Sequence, residues 1–283
     1  MSCILRDAVS ADAPACGSVC YEAFRSISDA HNFPADFPSV DFTAELLGML
    51  IAHPGFYGVV AERNGEIIGS NFMDERSQIA GIGPISVAPS SQNAGAGRML
   101  MDDAVARAIE RKAGVRLVQV AYHNRSLCLY TTVGFQTRQP LSIMQGNALN
   151  LSFPGYEVRA GRPDDLEACN KLCRDVHGFD RSAEVKEALS QSAVVVEHLS
   201  KITGYTTTLG FFGHTVAKTN QDLMALIGAA TEFSGPGFLL PTQNFEVFSW
   251  CLTNGLRLVA QATLMTIGLY NEPTGAYLPS VLY

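Results

Sequence analysis

Residues 87–98, VAPSSQNAGAGR, could bind an anion through their backbone. They follow an apolar strand pattern, precede a helical pattern, and carry Gln92, Gly95 and Gly97 among small residues. Small side chains let several backbone N–H groups converge on a pyrophosphate, and the N-terminus of the following helix adds favourable charge. The segment therefore predicts a phosphate-binding loop, with an ordinary glycine-rich turn as the alternative.

Three glycine-containing loops bind phosphates in this way, and their spacings differ. A dinucleotide-binding loop has G-x-G-x-x-G or a final Ala, whereas Gly95 and Gly97 are followed by Leu100. A Walker loop has Gly-Lys-Ser/Thr, which the chain lacks. The third pattern is Q/R-x-x-G-x-G/A after a strand that ends Val-x-Pro, and residues 87–97 fill it completely.

The elements that would position this loop are predicted from hydrophobic periodicity and turn signals. In the first half, helices are predicted at 12–27, 41–52, 95–113 and 124–133, and strands at 3–6, 56–62, 66–74, 79–88, 116–122 and 135–144. Asn64-Gly65 suits a two-residue turn between two of these strands. Because strands and helices alternate from residue 79 onward, we expect a mixed sheet with crossover helices.

The chain contains an internal repeat. Residues 4–24 and 157–179 align at an offset of 153, and both read as a short strand, an Asp-rich turn and an amphipathic helix. The matched pairs are Arg6 with Arg159, Asp12 with Asp165, Ala15 with Ala168, Cys16 with Cys169, and Cys20 with Cys173.

A second match aligns residues 118–136 with residues 238–258, which places Asn124 on Asn244 and Gly134 on Gly255. The two copies join near residues 147–157. We therefore expect two tandem α/β domains, 1–150 and 151–283, each with a mixed, mostly antiparallel sheet flanked by helices.

Together with a second motif, the glycine loop makes residues 3–146 resemble the GNAT superfamily of acetyl-CoA-dependent N-acetyltransferases. The second motif is NRSLCLYTTVGF at 124–135, an Asn after the fifth strand followed by Leu-Tyr-x-x-x-Gly-Phe. The resemblance implies acetyl transfer from acetyl-CoA, as co-substrate, to a primary amine by direct attack in a ternary complex. The acceptor would be a small molecule or a peptide.

The resemblance also implies roles for individual residues. The strand that ends at Val87 would pair with the pantetheine arm, and the backbone N–H of Val87 or its neighbour would stabilise the oxyanion. Tyr130 would protonate the leaving thiolate, with a core aromatic residue as the alternative. Asn124 would order the cofactor or a water. The implied cofactor-binding residues are Ile85, Ser86, Val87, Gln92, Asn93, Ala94, Gly95, Ala96, Gly97, Arg98, Asn124, Leu127 and Tyr130.

The sequence departs from the family at the general base. Many members carry a Glu on the fourth strand, but QIAGIGPISVAP at 78–89 contains no carboxylate. Asp74, Glu75 and His123 are candidates, and so is bulk water acting on an amine that arrives deprotonated. The sequence assigns no base.

The second copy keeps the architecture but lacks these motifs. Val216-Ala217 resembles the end of the fourth strand and leads directly into a helix capped by Thr219 or Asn220, without a glycine loop. Cys251 stands where the tyrosine would be. We expect this half to bind no CoA and to complete the fold or form a wall of the acceptor pocket. The candidate wall residues are 173–181, His214, Glu232 and 275–283.

Composition limits the other functions. The formal net charge of −7 argues against a nucleic-acid or anionic-membrane partner, and no apolar run approaches the ~20 residues of a membrane span. No signal pattern opens the sequence, so a cytoplasmic location is expected. The oligomeric state, monomer or homodimer, is left open by the sequence. The seven cysteines form no CxxC pair, and Cys16/Cys20 and Cys169/Cys173 read as buried thiols, with no metal expected. The rival function is a catalytically silent acyl-CoA-binding sensor or assembly module.

Overall fold

The computed structural model describes residues 3–282, which form helices and two mixed or antiparallel sheets. The first half contains β1 Ile4–Asp7, α1 Ala13–His31, α2 Val40–Ala52, β2 Phe56–Arg63, β3 Glu66–Asp74, β4 Ile79–Val87, α3 Ala96–Glu110, β5 Gly114–Val120, α4 Asn124–Val133 and β6 Gln136–Gln145.

The second half repeats this order and adds one strand, β13 Ala276–Leu278, at its end. Its other elements are β7 Tyr156–Ala160, α5 Leu166–His177, α6 Ser182–Leu189, β8 Val194–His198, β9 Lys201–Thr206, β10 Thr215–Ala217, α7 Asn220–Ala229, β11 Phe238–Pro241, α8 Phe245–Thr253 and β12 Arg257–Ile267. Across residues 3–282, no helix has the length and apolar character needed to cross a bilayer.

Every element predicted for the first half is present. The largest difference lies at the end of α1, which continues to His31 and ends where Asn32 adopts a left-handed φ of 58°. The turn between β2 and β3 is also confirmed, since Asn64 and Gly65 both have positive φ, 57° and 81°. Two positive φ values in succession suit the tight turn that matches the twist of antiparallel strands.

The sequence repeat corresponds to the same arginine–aspartate contact in both halves of the structure. Arg6 lies 2.7 Å from Asp12, and Arg159 lies 2.7 Å from Asp165. Each carboxylate also accepts a backbone N–H three residues before it, at 2.8 Å in both copies. The arginine hydrogen bonds lower the pKa of both aspartates. The pair thus fixes the connection between the first strand and first helix of each half.

The two sheets do not divide where the sequence repeat divides. The larger sheet has the order β1-β2-β3-β4-β5-β12-β6-β11, and the smaller has the order β13-β10-β9-β8-β7. β12 lies between β5 and β6 and is antiparallel to both, with Leu264 opposite Val118 and Ala262 opposite Leu141. Two strands from the second half therefore complete the sheet of the first half.

β4 and β5 form a parallel pair that soon separates. Their register covers residues 79–81 of β4 and 114–116 of β5. Beyond Gly81, β4 continues along β3 as far as Val87, whereas β5 continues along β12. The diverging strands open a gap at their carboxyl ends, which is where ligands bind in many α/β sheets.

Opposite faces of this sheet are covered by different helices. Val60 packs in a cluster with Cys16 and Cys20 of α1, while its neighbours Val59 and Ala61 pack with Leu100 of α3. Since neighbouring side chains on a strand point to opposite faces, α1 and α3 lie on opposite sides of the sheet. The two faces of the sheet beside the gap between β4 and β5 are therefore covered by different helices.

The paired cysteines are core residues, as predicted. Cys16, Cys20, Cys169 and Cys173 are each 0% exposed and lie in apolar clusters. Burial raises the pKa of all four thiols, which disfavours the thiolate that binds metals. Among the described residues, no three His, Cys, Asp or Glu side chains are grouped as metal ligands.

Candidate functional site

The glycine loop lies between β4 and α3, at the open end of the gap. Gly95 is the N-cap of α3 and has a φ of 88°, a conformation that side chains with a Cβ rarely adopt. A Cβ on Gly95 would meet nothing within 4 Å, so its surface faces open space. The N–H groups of the first helical turn have no intrahelical acceptor, and a glycine cap supplies none. They are available to an anion.

The first turn of α3 lies close to both β4 and α4. A Cβ on Gly97 would lie 3.6 Å from Val87 Cγ2 and 3.6 Å from Leu129 Cδ2. These are ordinary contact distances, so packing within the protein does not require glycine at position 97. Because position 97 has no side chain, the N-terminus of α3 stays uncovered.

The end of β4 presents backbone groups to the gap. Ala88 N–H donates to Ile68 O of β3 at 2.9 Å. Because N–H directions alternate along a strand, the N–H of Val87 points away from β3 and toward the gap. The side chain of Gln92 donates to Val87 O at 3.1 Å and so holds the loop against the strand.

Arg125 is a further candidate site residue, which the sequence motifs did not single out. Its guanidinium donates to Gln92 Oε1 at 3.0 Å and to Asn93 Oδ1 at 2.7 Å, so α4 is tied to the loop. Arg98, on the other side of the loop, donates to Thr132 Oγ1 at 3.1 Å. Two exposed cations thus flank the helix N-terminus, where phosphate groups would be favoured. The signal for Arg125 was its place beside Asn124 in the second motif.

α4 places its three predicted residues along the same gap. Asn124 is exposed at the first turn of the helix, and Leu127 packs partly buried against the core. Tyr130 is 9% exposed in a cluster that includes Ile82 of β4 and Leu117 of β5. Burial raises the pKa of Tyr130, which keeps its hydroxyl protonated. Its role as an acid stays a prediction, since a core aromatic would occupy the same place.

β4 sends its last side chains to both faces of the sheet. Ile85 and Val87 pack toward α3, whereas Ser86 is 4% exposed and faces α1. The Ser86 hydroxyl lies 3.4 Å from that of Ser70. A bound thioester at this strand would therefore have the loop on one side and α1 on the other.

Two of the candidate bases, Asp74 and Glu75, lie far from Val87 at the end of β4. Asp74 pairs with Gly81, six residues before Val87 on β4, which corresponds to about 20 Å along a strand. It is 2.6 Å from Arg76, and Glu75 is 2.6 Å from Arg107. His123 lies nearer, at the N-cap of α4, and burial and the Arg125 charge lower its pKa.

The equivalent gap in the second half is filled by the chain itself. β13 pairs with β10, with Tyr277 opposite Val216, along the edge that corresponds to the free edge of β4. As predicted, α7 starts directly after β10: Thr219 caps it by accepting the N–H of Asp222 at 3.2 Å.

The helix ends of this second gap are also tied together. Asn244 of the α8 cap donates to Asn220 at 2.8 Å, and Asn220 donates to Glu246 at 2.7 Å. Cys251, at the position of Tyr130, is fully buried, and burial raises its pKa to about 12. Within residues 215–253, nothing corresponds to the open loop of the first half.

Comparisons with known proteins agree with this geometry. Residues 54–137, from β2 into β6, match the family model described as an acetyltransferase (GNAT) domain. No curated protein matches the chain significantly.

Solved structures resemble the chain over its whole length. A proposed acetyltransferase of Pyrococcus horikoshii has a TM-score of 0.71 at 17% identity, covering 97% of this chain and 94% of that one. A GCN5-related N-acetyltransferase of Sphaerobacter thermophilus has a TM-score of 0.64 at 15% identity, covering 95% and 96%. A tandem GNAT protein from the clavulanic acid biosynthesis pathway has a TM-score of 0.56 at 12% identity, covering 95% and 100%.

At these low identities the solved structures support the fold alone. The family model supports the identity of the domain that contains the gap. GNAT domains use acetyl-CoA as the acetyl donor. The chain therefore carries a GNAT acetyltransferase domain, and its two halves together have the fold of a tandem GNAT protein.

Proposed function

We propose that the protein transfers the acetyl group of acetyl-CoA to a primary amine at the gap between β4 and β5. The observation that carries the proposal is the uncapped N-terminus of α3 beside the free edge of β4. The first supplies N–H donors for a pyrophosphate, and the second supplies donors and acceptors for an extended pantetheine arm. Both parts of one donor molecule would thus be bound by one continuous segment, residues 85–98.

The residues of this segment would have distinct roles. The backbone of Ile85, Ser86 and Val87 would hold the pantetheine arm, and the amides from Gln92 to Arg98 would hold the pyrophosphate. The Val87 N–H would stabilise the negative oxygen that forms when the amine attacks the thioester. Tyr130 would give its proton to the departing sulfur, with Leu127 and Asn124 lining the same side of the gap.

Each chain would have one such site, in residues 1–150. The remaining residues would complete the sheet through β11 and β12 and line the acceptor side. His214, one of the candidate wall residues, is 2% exposed, and its Nδ1 lies 2.9 Å from Glu184 Oε1. This contact favours a structural role for His214 over direct binding of an acceptor.

A catalytically silent acyl-CoA-binding module is the alternative function. It is favoured by the lack of a carboxylate on β4 and by the buried position of Tyr130. Release of free thiol from acetyl-CoA, measured over a panel of primary amines, separates the two. Amine-dependent release supports the transferase, whereas tight acetyl-CoA binding with no release for any amine supports the silent module.

A further inference from the structure

The segment after α1 folds back onto the end of β5, on the face of the gap opposite α3. The Phe33 N–H donates to Ser28 O at 2.9 Å, which reverses the chain. The Phe33 ring then stacks on Tyr122, just beyond β5, with ring centroids 4.1 Å apart and planes 13° apart. The His31 ring lies 5.2 Å from that of Tyr122. Residues 31–37 therefore border the gap opposite the glycine loop.

This segment carries a carboxylate, Asp36, that points inward. Asp36 is partly buried and accepts a hydrogen bond from Ser28 Oγ at 2.8 Å, while the next residue, Phe37, is buried in the α1 cluster. Phe37 shares this cluster with Val60 of β2. Ser86 of β4 lies across the sheet from Val60, with Ser70 of β3 between them, so Ser86 points to the same face. Asp36 thus lies on the α1 side of the last residues of β4.

Asp36 differs from Asp12 and Asp74 in its partner. Asp12 and Asp74 are each bound to an arginine, at 2.7 and 2.6 Å. Among residues 3–282, no cation lies within 4.0 Å of the Asp36 carboxylate, and its hydrogen-bond donor is the neutral hydroxyl of Ser28. Burial raises its pKa accordingly. A partly buried carboxylate without a cation is an incomplete ion pair, which a cationic ligand would complete.

We propose that Asp36 binds the ammonium group of the acceptor and accepts its proton. This rests on the proposed acetyl transfer. The nitrogen loses two protons in the reaction. The first passes from the ammonium to Asp36 and from there to solvent, which frees the lone pair that forms the C–N bond. The C–S bond then breaks, Tyr130 gives its proton to sulfur, and the second nitrogen proton restores the tyrosine.

The surroundings of Asp36 indicate the class of acceptor. The stacked rings of Phe33 and Tyr122 offer an apolar wall beside a negative charge, which suits an alkylammonium. The titratable groups that face Asp36 are Cys20 of α1 and Tyr122 beyond β5, with His31 and His123 near Tyr122. We therefore expect a primary alkylamine that is protonated in solution.

The test compares Asp36→Asn with Asp41→Asn, an exposed carboxylate on the neighbouring helix. At pH 7, Asp36→Asn should lower acetyl transfer to primary alkylamines by about 10²–10⁴-fold, with a smaller loss at high pH where the amine is already neutral. Acetyl-CoA affinity and melting temperature should be unchanged in both variants, and transfer should be unchanged in Asp41→Asn. Transfer by Asp36→Asn within a few-fold of wild type at pH 7 would overturn the proposal.

Two further measurements keep the proposal testable. Ser28→Ala retains the carboxylate but removes the hydrogen bond that lowers its pKa, so the acidic limb of the kcat/KM profile should move to higher pH. An unchanged limb would contradict the assignment. Calorimetric binding of hexylamine in the presence of CoA should be lost in Asp36→Asn. This readout decides on Asp36 even if wild type acetylates no amine, a result that would overturn the proposed function separately.

Discussion

The backbone carbonyl of Leu282 lies against the Cα of Gly81, so closely that a Cβ on Gly81 would overlap the carbonyl oxygen. Gly81 is the last residue of β4 that pairs with β5. The segment after β13 therefore reaches the closed end of the gap in the first half. One stretch of about seven residues thus runs from the second gap, which β13 fills, to the first.

Gly81→Ala should be destabilising, because the added methyl group meets the backbone of Leu282 rather than a flexible side chain. Overpacking of this kind lowers the free energy of unfolding by about 1–3 kcal/mol, and Gly81→Ala should lower the melting temperature by several degrees. Gly48→Ala in α2 is the control, since its Cβ would lie 3.4 Å from Ala13 and alanine favours a helix. A Gly81→Ala melting temperature at or above that of wild type would contradict the close approach.

CoA should bind with a stoichiometry of one per chain. The first half has an open helix N-terminus and a free β4 edge, whereas β13 and the Thr219 cap close the second. Isothermal titration calorimetry measures this directly. Thr219→Ala should leave CoA affinity unchanged, and two sites per chain, or loss of the site in that variant, would place CoA elsewhere.

Gly97→Val should weaken CoA binding by at least tenfold while the protein still folds. The branched side chain would stand over the N–H groups of the first turn of α3, where a phosphate would lie. Gly95→Val should weaken binding as well, but it also strains a residue with φ of 88°, so its melting temperature should fall. If the CoA affinity of Gly97→Val is within a few-fold of wild type, the loop is an ordinary turn that does not bind the pyrophosphate.

Tyr130→Phe should lower turnover much more than it lowers CoA affinity. The change removes one hydroxyl and keeps the ring in its apolar cluster, so folding should be preserved. A positioned acid contributes about 10²–10⁴-fold, and the low end is expected because a CoA thiolate is not very basic. Steady-state kinetics with the best amine, together with calorimetry, give the comparison. Equal turnover of wild type and Tyr130→Phe would indicate that Tyr130 is a core residue and does not act as the acid.

Local features of the sequence were enough to predict the elements of the first half. Asn64-Gly65 predicts its turn because both residues accept positive φ, and the glycine loop predicts a helix N-terminus because small residues precede a helical period. The repeat was visible because the arginine–aspartate pair recurs at a fixed distance from its strand. Each of these signals depends on residues that are close together in the chain.

Features that depend on distant pairing could not be predicted in the same way. The position of β12 between β5 and β6 is set by contacts between residues more than a hundred positions apart, such as Leu264 with Val118. Asp36 lies in a proline-containing loop that resembles an ordinary turn in the sequence, and its inward position depends on Phe33 reaching Tyr122. Arg125 became a site residue only when α4 was placed beside the glycine loop.

The place of β12 also affects how the protein is made on the ribosome. β6 ends at Gln145, whereas β12 begins at Arg257, so synthesis of the intervening chain at ~5–20 residues per second takes roughly ten seconds. Throughout that time β5 and β6 both have edges open to incorrect pairing. The sheet of the first half therefore stays incomplete until the C-terminal strands have been made.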